Sequence, residues 1–237
     1  MDRLPSVGGH MHQLSDTFPT LDCAQCIMTP RTVDVGRQEN ILLDMYSEIE
    51  EIVGEQGDFR VRIRRKPAFV NWDLCTACGE CTEKCPQVIP VIFDRNLEMA
   101  TTMRSGKVRH VGTGKAIYTL SPQAVPKKPV IDVDYCTYFL KGKCRLCEKV
   151  CPVNAIDFEQ KASWSEERVG AIILATGYEL YSLGSLGEYG GGQIPDVIDA
   201  LAMERLLSSS GPTVGVMRRP SDGKEPKEVV WIQCAGS

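Results

Sequence analysis

The chain has 237 residues, of which 43% are hydrophobic, and its formal net charge at pH 7 is −4. This composition is typical of a globular protein with one large or two small domains, and the absence of a long basic run argues against nucleic acid as a partner. No apolar run reaches the roughly 18 residues of a membrane span, and no secretory signal opens the chain, so we expect a cytoplasmic protein without a transmembrane segment. Its eleven cysteines then indicate metal sites rather than disulfides.

The first part of the chain carries a glycine turn and an isolated cysteine pair. Gly8-Gly9 predicts a tight turn within residues 6–11, and Cys23-x-x-Cys26 follows it. Two thiols cannot complete a tetrahedral or cubane metal site, so this pair needs partners, either Cys234 or cysteines outside this chain. The alternative is that both are packed or free thiols.

Residues 29–66 predict local structure. A short helix is expected over 29–38, a strand over 40–46, and a hairpin whose strands, 49–53 and 59–63, flank a turn with glycine. The hairpin ends in a run with cations at positions 60, 62, 64, 65 and 66. Such a run is typical of a solvated edge strand, and a second interpretation is a docking patch for an acidic redox partner.

Two cysteine runs dominate the middle of the chain. The first is Cys75-x2-Cys78-x2-Cys81-x3-Cys85-Pro86, and the second is Cys136-x7-Cys144-x2-Cys147-x3-Cys151-Pro152. A C-x2-C-x2-C-x3-C-P run is the bacterial ferredoxin signature for [4Fe–4S] clusters, in which the fourth cysteine ligates the other cluster. In this scheme the fourth cysteine starts the following helix, and the seven residues between the first two cysteines of the second run loosen its loop.

This rule predicts two clusters with crossed ligands. Three cysteines of the first run would join Cys151, and three of the second would join Cys85; the two sets are Cys75, Cys78, Cys81 and Cys151, and Cys136, Cys144, Cys147 and Cys85. Two structural zinc sites are the alternative, since C-x2-C pairs also bind zinc. The paired C-x3-C-P endings have no use in a zinc ribbon and favour the clusters.

The two runs are halves of an internal repeat. Lys66-Pro67 precedes the first run and Lys128-Pro129 the second, and an apolar strand is expected after each, over 88–93 and 155–158. Residues 67–160 therefore predict a pseudo-twofold ferredoxin-like domain. Its insert over 99–119, which is rich in glycine and basic residues, is expected to be a hairpin or loop, with His110 on its surface.

The pattern changes after residue 167. Val169–Leu174 and Glu228–Cys234 are apolar runs that predict buried parallel strands. The first leads into Ala175-Thr176-Gly177, small residues that let a nucleotide approach the backbone. Residues 184–192 form a glycine-rich loop, and 199–208 predict a helix with Leu201, Leu206 and Leu207 along one side.

Together these motifs resemble the A subunit of heterodisulfide reductase and its iron–sulfur flavoprotein relatives in anaerobic archaea and bacteria. The resemblance rests on both cysteine runs and on shorter pieces, which are residues 7–9, 18–23 with Cys26, 173–178, 220–224 and 231–234. It implies a mixed fold of the α+β and α/β classes: a ferredoxin-like domain with two [4Fe–4S] clusters, at 67–160, inserted into part of a thioredoxin-reductase-like FAD-binding domain, at 1–66 and 161–237.

The resemblance also implies function. The family is an oxidoreductase subunit that passes electrons between FAD and [4Fe–4S] clusters. In methanogens it bifurcates electrons from a hydrogenase or formate dehydrogenase subunit, toward ferredoxin and toward the disulfide-reducing subunits of the complex. The alternative is a stand-alone ferredoxin-like electron carrier without flavin, which would have no need of the Ala175-Thr176-Gly177 region.

For the flavin, the resemblance implies contacts from residues at two places in the chain. Asp2 corresponds to the acidic residue that holds the ribose, and the other implied contacts are Gly8, Gly9, Ala175, Thr176 and Gly177. His10 stands where an arginine is expected. The family's Gly-x-Gly-x-x-Gly loop is expected upstream of residue 1 and the second nucleotide-binding half after Ser237. We therefore expect a fragment that binds FAD weakly or not at all by itself.

Overall fold

The computed structural model describes residues 1–97, 99–102 and 108–236, and the turn of the predicted 99–119 hairpin lies outside them. In this part of the chain no helix is long and apolar enough to cross a membrane. The helices are α1 (Ala24–Arg37), α2 (Glu80–Lys84), α3 (Thr137–Lys141), α4 (Leu146–Val150) and α5 (Ala200–Leu207). The strands are β1 (Asp16–Thr17), β2 (Asp22–Cys23), β3 (Ser47–Glu55), β4 (Asp58–Arg65), β5 (Val88–Pro90), β6 (Met99–Thr102), β7 (Val108–Val111), β8 (Thr113–Lys115), β9 (Ile117–Tyr118), β10 (Val130–Ile131) and β11 (Ser163–Val169).

The chain divides into two compact units. The first unit comprises Met1–Gly9, Thr29–Ile89 and Lys115–Thr176, and the second comprises His10–Met28, Pro90–Gly114 and Gly177–Ser237. Both units contain helices and strands, so the coarse prediction of a mixed α/β fold is confirmed. Each unit is described separately below.

A three-stranded antiparallel sheet in the first unit has the order β11-β4-β3. The hairpin of β3 and β4 is confirmed, and its turn requires glycine, because a Cβ on Gly54, whose φ is +109°, would lie 2.1 Å from the Asp58 carbonyl oxygen. β4, which carries the basic run, is the central strand and not the expected edge strand. The neighbouring strands supply the opposite charges, as in the pair of Arg64 with Glu48 at 3.0 Å.

The core of the first unit lies among the segments that carry the cysteine runs. Its buried residues are Val70, Ile117, Ile131, Ala155, Ile156 and Phe158. Val70 forms an antiparallel bridge with Ile156, and β9 pairs with β10. The bridge joins the segment before the first run to the segment after the second, and the β9–β10 pair joins two strands that lie between the runs.

The second unit has its own core around α5. Leu201 and Leu206 on this helix are buried, whereas Leu207 is exposed, so the predicted helix is confirmed but its apolar side is narrower than expected. Asp199 caps the helix N-terminus by accepting a hydrogen bond from the Ala202 amide at 2.7 Å. The β6–β7 hairpin contributes to the same core, in line with the hairpin expected in the 99–119 insert.

Four predicted strands are wrong, and the one over 88–93 ends early, at Pro90. Residues 155–158 form only the single bridge of Ile156 to Val70. Residues 40–46 form no strand apart from a single bridge of Met45 to Asp2. Residues 170–174 form no strand, and Ile173 is 91% exposed. The strand in this region is β11, which ends at Val169 and is antiparallel to β4. Residues 228–234 also form no strand, and Val230 is 84% exposed. Hydrophobicity predicted strands here, but a strand also needs continuous pairing with a neighbour. Residues 44–46 bond to the short segment 2–4 and to Lys66 without forming a strand, and no strand pairing is formed by 170–174 or 228–234 among the described residues.

The helix predicted over 29–38 is longer than expected. α1 begins at Ala24, directly after the first cysteine of the isolated pair, and includes Pro30. Proline in a helix interior removes one backbone donor, so Pro30 weakens this helix but does not end it. The N-terminal turn therefore holds Cys26, and the isolated cysteine pair spans the boundary between β2 and α1.

Candidate metal centre

The first cysteine run begins with a turn made by an asparagine side chain. Asn71 Oδ1 accepts hydrogen bonds from the Asp73 amide at 3.0 Å and the Leu74 amide at 3.4 Å. The Asn71 carbonyl oxygen then accepts a bond from the Cys75 amide at 3.0 Å. Asparagine favours such turns because its short side chain bonds to the backbone two residues on. The turn directs the chain from the core into the loop that carries Cys75.

The second run begins in the same way, with an aspartate in place of the asparagine. Asp132 Oδ1 accepts a bond from the Asp134 amide at 3.0 Å, and its carbonyl oxygen accepts a bond from the Cys136 amide at 2.9 Å. Burial raises the pKa of the Asp132 carboxyl, and its bond with the Asp134 amide opposes this shift. The two loops therefore begin with the same hydrogen-bonding pattern, as expected for the halves of an internal repeat.

The third and fourth cysteines of each run lie on and after a short helix. Cys81 lies in α2 and Cys147 in α4, while Cys85 and Cys151 end these helices with extended backbone. The expectation that the fourth cysteine starts the following helix is wrong. The reason is the proline that follows each one, since proline disfavours the helical conformation at the preceding residue.

The seven-residue insertion in the second run forms a helix instead of loosening the loop. α3 occupies most of it and ends at Gly142, whose φ is +64°. Phe139 from this helix lies with its ring centroid 4.5 Å from that of Phe69, and Tyr138 lies 4.1 Å from Phe158. Aromatic contacts of this kind anchor the insertion on the core of the first unit. The sequence contains the apolar residues 138–140, but it does not show where they pack.

Two cavities lie in the first unit, and the eight cysteines of the runs are divided between them. One is lined by Cys75, Cys78, Cys81 and Cys151. The other is lined by Cys85, Cys136, Cys144 and Cys147. Three members of each set come from one run and the fourth from the other. This is the grouping that crossed ligation requires.

Buried aliphatic residues line part of each cavity, although the first cavity also has polar and charged residues such as Glu80 and Lys127 in its wall. The first cavity includes Val70 and Ile156 in its lining, and the second includes Ile117 and Ile131. Burial raises the pKa of Cys81, and it raises the pKa of Cys147 to about 12. A thiol in such a place becomes a thiolate only when a cation stabilises it, and soft thiolates suit zinc and iron–sulfur clusters.

Each donor set consists of four cysteine thiols, the number that a cubane cluster takes. Among the described residues, no group of three or more Cys, His, Asp or Glu side chains has the arrangement of a site for a metal ion. The thiols of each set are instead distributed around the wall of a cavity. A cubane cluster takes one thiolate at each of its four irons, so four thiols around a cavity are the donor set that it needs.

Comparison with known proteins identifies the relatives of this site. The family model described as "4Fe-4S binding domain" matches residues 68–90, which contain the first run. Over all 237 residues the chain is 43% identical to the A subunit of an "H(2):CoB-CoM heterodisulfide,ferredoxin reductase" from Methanothermobacter thermautotrophicus. It is 42% identical over 237 residues to the iron-sulfur A subunit of the "CoB--CoM heterodisulfide reductase" from Methanocaldococcus jannaschii. The chain is a homologue of the heterodisulfide reductase A subunit.

The match covers only part of these relatives. All of this chain aligns, but it spans 33% of the length of both relatives. A third relative, the A subunit of a "Ferredoxin:CoB-CoM heterodisulfide reductase" from Methanosarcina mazei, is 40% identical over 238 aligned positions, which are 28% of its length. The chain thus corresponds to about a third of a heterodisulfide reductase A subunit, and this third includes the iron–sulfur motif.

In this heterodisulfide reductase homologue, the isolated cysteine pair lies at the start of α1. The Cys26 amide donates a hydrogen bond to Cys23 Sγ at 3.3 Å. A hydrogen bond from the Cys26 side chain lowers the pKa of Cys23, and the same interaction raises the pKa of Cys26. Cys234, the third candidate, is exposed and has a φ of +55°. The described contacts join the first two thiols to each other.

The residues expected to hold flavin lie in turns and extended segments. Asp2 Oδ1 accepts a bond from the Leu4 amide at 2.9 Å. Gly8 and Gly9 have φ angles of +116° and +48°, so both adopt conformations that favour glycine. Residues 175–177 are exposed, and Gly177 has a φ of +71°.

The residues that follow the two glycine turns contact each other. His10 Nε2 lies 3.0 Å from the carbonyl oxygen of Tyr178, and the two rings are 4.8 Å apart. Because His10 follows Gly9 and Tyr178 follows Gly177, the contact joins positions 168 residues apart in the chain. In the sequence, His10 is notable only because it stands where the family resemblance implies an arginine.

Sequence reasoning missed one residue beside the first cysteine loop. Lys128 Nζ donates hydrogen bonds to the carbonyl oxygens of Trp72 and Cys75, the latter at 2.7 Å. Trp72 Nε1 in turn donates to the Pro129 carbonyl oxygen at 2.9 Å. The repeated Lys-Pro pairs before the two runs were the signal that could have directed attention to this lysine.

Proposed function

We propose that this chain is the part of an iron–sulfur flavoprotein subunit that holds two [4Fe–4S] clusters and passes electrons between them and FAD. The observation that carries the proposal is the division of eight thiols between two cavities, with one thiol of each set contributed by the other run. Eight thiols could equally hold two zinc ions. The C-x2-C-x2-C-x3-C-P run favours clusters, because it belongs to cluster-binding ferredoxins.

The first cluster would be held by Cys75, Cys78, Cys81 and Cys151, and the second by Cys85, Cys136, Cys144 and Cys147. A [4Fe–4S] cluster supplies one-electron transfer at a potential set by charge, hydrogen bonds and solvent exposure. The chain supplies those surroundings: buried aliphatic side chains line part of each cavity, and backbone amides reach the sulfur atoms. The Ala155 amide, for example, donates to Cys151 Sγ at 3.2 Å.

The crossed fourth ligands explain how two clusters could share one small core. α2 and α4 pack against each other, and each helix ends at the cysteine that serves the other cavity. The two clusters would therefore lie on either side of this helix pair, which places them close together. Short distances between clusters are what an electron-transfer chain needs.

The flavin half of the proposal rests on the turns at Gly8-Gly9 and Ala175–Gly177. Their following residues meet in the contact of His10 with Tyr178, as expected if both turns face one flavin. We propose that residues 1–66 and 161–237 are parts of a thioredoxin-reductase-like FAD-binding domain and that residues 67–160 are its insert. The exposed apolar segments after Val169 and at 228–234 would then be strands that need neighbours from a larger sheet.

The partners proposed for the whole protein follow from its relatives. The relative from Methanothermobacter thermautotrophicus carries H(2), CoB-CoM heterodisulfide and ferredoxin in its name, and that from Methanosarcina mazei carries ferredoxin and CoB-CoM heterodisulfide. We propose that this chain serves a complex of the same type, in the cytoplasm, with ferredoxin, the other heterodisulfide reductase subunits, and a hydrogenase or formate dehydrogenase subunit. Electron bifurcation would be the activity of that whole complex.

Crossed ligation is tested by removing one fourth cysteine at a time from the chain reconstituted with iron and sulfide. Cys151→Ala should alter the same EPR signal as Cys78→Ala, because both residues would hold the first cluster. Cys85→Ala should alter the same signal as Cys144→Ala. If Cys85→Ala and Cys78→Ala affected one signal together, each run would hold its own cluster and the crossed assignment would be wrong. A colourless protein with bound zinc would contradict the electron-transfer function.

A further inference from the structure

The internal repeat places a lysine before each cysteine run. Lys66 precedes Cys75 by nine residues, and Lys128 precedes Cys136 by eight, and each lysine is followed by proline. A strict twofold arrangement would give the two lysines equivalent surroundings. The structure gives them different ones.

Lys128 lies against the loop of the other run. Its Nζ donates to the carbonyl oxygens of Trp72 and Cys75, two groups of the first cysteine loop. The indole of Trp72 donates back to Pro129, so the segment 128–129 and the loop are joined by bonds in both directions. A lysine ammonium has three donor hydrogens, and two of them are used here on neutral acceptors that leave its positive charge in place.

Lys66 lies elsewhere. Its Nζ is 3.1 Å from Glu48 Oε1 and 4.7 Å from the centre of the Tyr46 ring. The carboxylate balances the charge of this lysine. The pseudo-twofold symmetry of the two loops is therefore broken at the lysines: one cation is directed to the first loop, and its counterpart is neutralised on the β3–β4 hairpin.

We propose that Lys128 is a positioning residue that makes the two clusters unequal, by raising the reduction potential of the first cluster relative to that of the second. This inference rests on the proposed ligand sets. Reduction transfers one electron from the donor to the cluster, with no bond broken, and adds one negative charge. A fixed cation beside the loop of Cys75 stabilises that charge, and the attraction between unit charges falls with distance. The nearer cluster is therefore favoured.

The consequence is a direction for electron transfer. With the charge of Lys128 beside the first loop, an electron shared between the two clusters resides preferentially on the cluster held by Cys75, Cys78, Cys81 and Cys151. At an effective dielectric constant of about 20, a unit charge roughly 12 Å from the cluster would change the reduction equilibrium about tenfold. For a one-electron couple, this is about 59 mV.

Three variants separate charge from hydrogen bonding. Lys128→Gln removes the charge but keeps an N–H donor, and Lys128→Arg keeps both the charge and the donors. Lys66→Gln is the matched control, since it removes the equivalent lysine of the repeat. Each full chain is reconstituted anaerobically, and the midpoint potentials of both clusters are measured by EPR-monitored redox titration. A Cys78→Ala chain identifies which signal belongs to the first cluster.

We expect Lys128→Gln to lower the midpoint potential of the first cluster, by an amount that corresponds to about a tenfold change in its reduction equilibrium. The midpoint potential of the second cluster should shift much less. Lys128→Arg should remain near the wild type, and Lys66→Gln should move neither cluster in this way. Equal shifts of both clusters, no shift, or the same shift in Lys66→Gln would overturn the role of Lys128 while the clusters themselves remain. A wild-type chain that takes up no iron would overturn the ligand sets and this inference together.

Discussion

The side chain of His10 lies against the backbone of Tyr178, with His10 Nε2 3.0 Å from the Tyr178 carbonyl oxygen. Each residue directly follows a glycine with positive φ, and nearly the whole cysteine-rich region lies between them in sequence. The contact is therefore a long-range one that sequence spacing alone could not establish. It joins the residues that directly follow the two segments proposed to face the flavin.

Flavin binding by this chain should nevertheless be weak. The 237 residues contain no Gly-x-Gly-x-x-Gly loop, so the phosphate-binding helix N-terminus of a dinucleotide site is lacking from its sequence. In equilibrium dialysis against FAD, we expect little or no retained flavin. Tight, stoichiometric binding would show that such a loop is not needed and would contradict this part of the account.

The two thiols at the start of α1 should differ in reactivity when no metal is bound. The pKa of Cys23 is lowered and that of Cys26 is raised, so at neutral pH more of Cys23 is thiolate, which is the nucleophilic form. Iodoacetamide should therefore modify Cys23 first, and Cys26 should follow as the pH rises. Mass spectrometry of the alkylated peptides checks the order. Cys26 is the more exposed thiol, so exposure alone would favour its modification first. That order would contradict the prediction.

The same pair is proposed as half of a further cluster site. In a longer protein that extends this chain with its flanking polypeptide, Cys23→Ser should lower the iron content by about four atoms, the content of one cubane cluster. Iron analysis of the purified variant checks this, with Thr29→Ser on the same helix as a control. Unchanged iron in Cys23→Ser would return both cysteines to the interpretation as packed or free thiols.

An ion pair made by a fully buried arginine should contribute to the stability of the second unit. Arg205 is 1% exposed, and its Nε lies 2.9 Å from Asp94 Oδ1. Arg205→Met would leave the partly buried carboxylate of Asp94 without its cation, which costs about 3 kcal/mol, the lower end of the range for buried pairs. Arg95→Met is the control, because its pair with Asp199 is more exposed and should contribute about 0–1 kcal/mol. Hydrogen exchange of the α5 amides measures both effects.

The destabilisation by Arg205→Met should depend on pH. Burial raises the pKa of Asp94, and Arg205 opposes that shift, so removing the arginine raises this pKa further. A carboxyl with a raised pKa in the folded state favours folding when it is protonated, and this contribution is lost as pH rises through that pKa. The loss of protection in Arg205→Met should therefore be larger at pH 7 than at pH 5. Equal losses at both values would contradict the assigned cause.

The metal centre was more predictable from sequence than the rest of the fold. Cysteine spacing determines which thiols a short loop can present together, so the two sets of four could be proposed without a structure. The position of Cys85 after α2, rather than before a helix, depended on how proline ends that helix. The placement of Phe139 and Lys128 depended on long-range packing, about which local patterns carry no information.

The errors elsewhere have a common physical cause. The segments 169–174 and 228–234 are apolar enough for buried strands, but a strand forms only against a neighbour with free hydrogen-bonding groups. β11 found such a neighbour in β4, where Glu166 faces Arg62 across the strands. The sequence showed both charges, but it did not show that these strands would be adjacent.

The central claim is that the chain holds two [4Fe–4S] clusters, and the most direct measurement is the amount of iron and acid-labile sulfide after anaerobic reconstitution. Two cubane clusters require about eight irons and eight sulfides per chain. The account predicts these values for the wild-type chain. About two zinc ions with no sulfide would contradict it, because the eight thiols would then be two structural zinc sites.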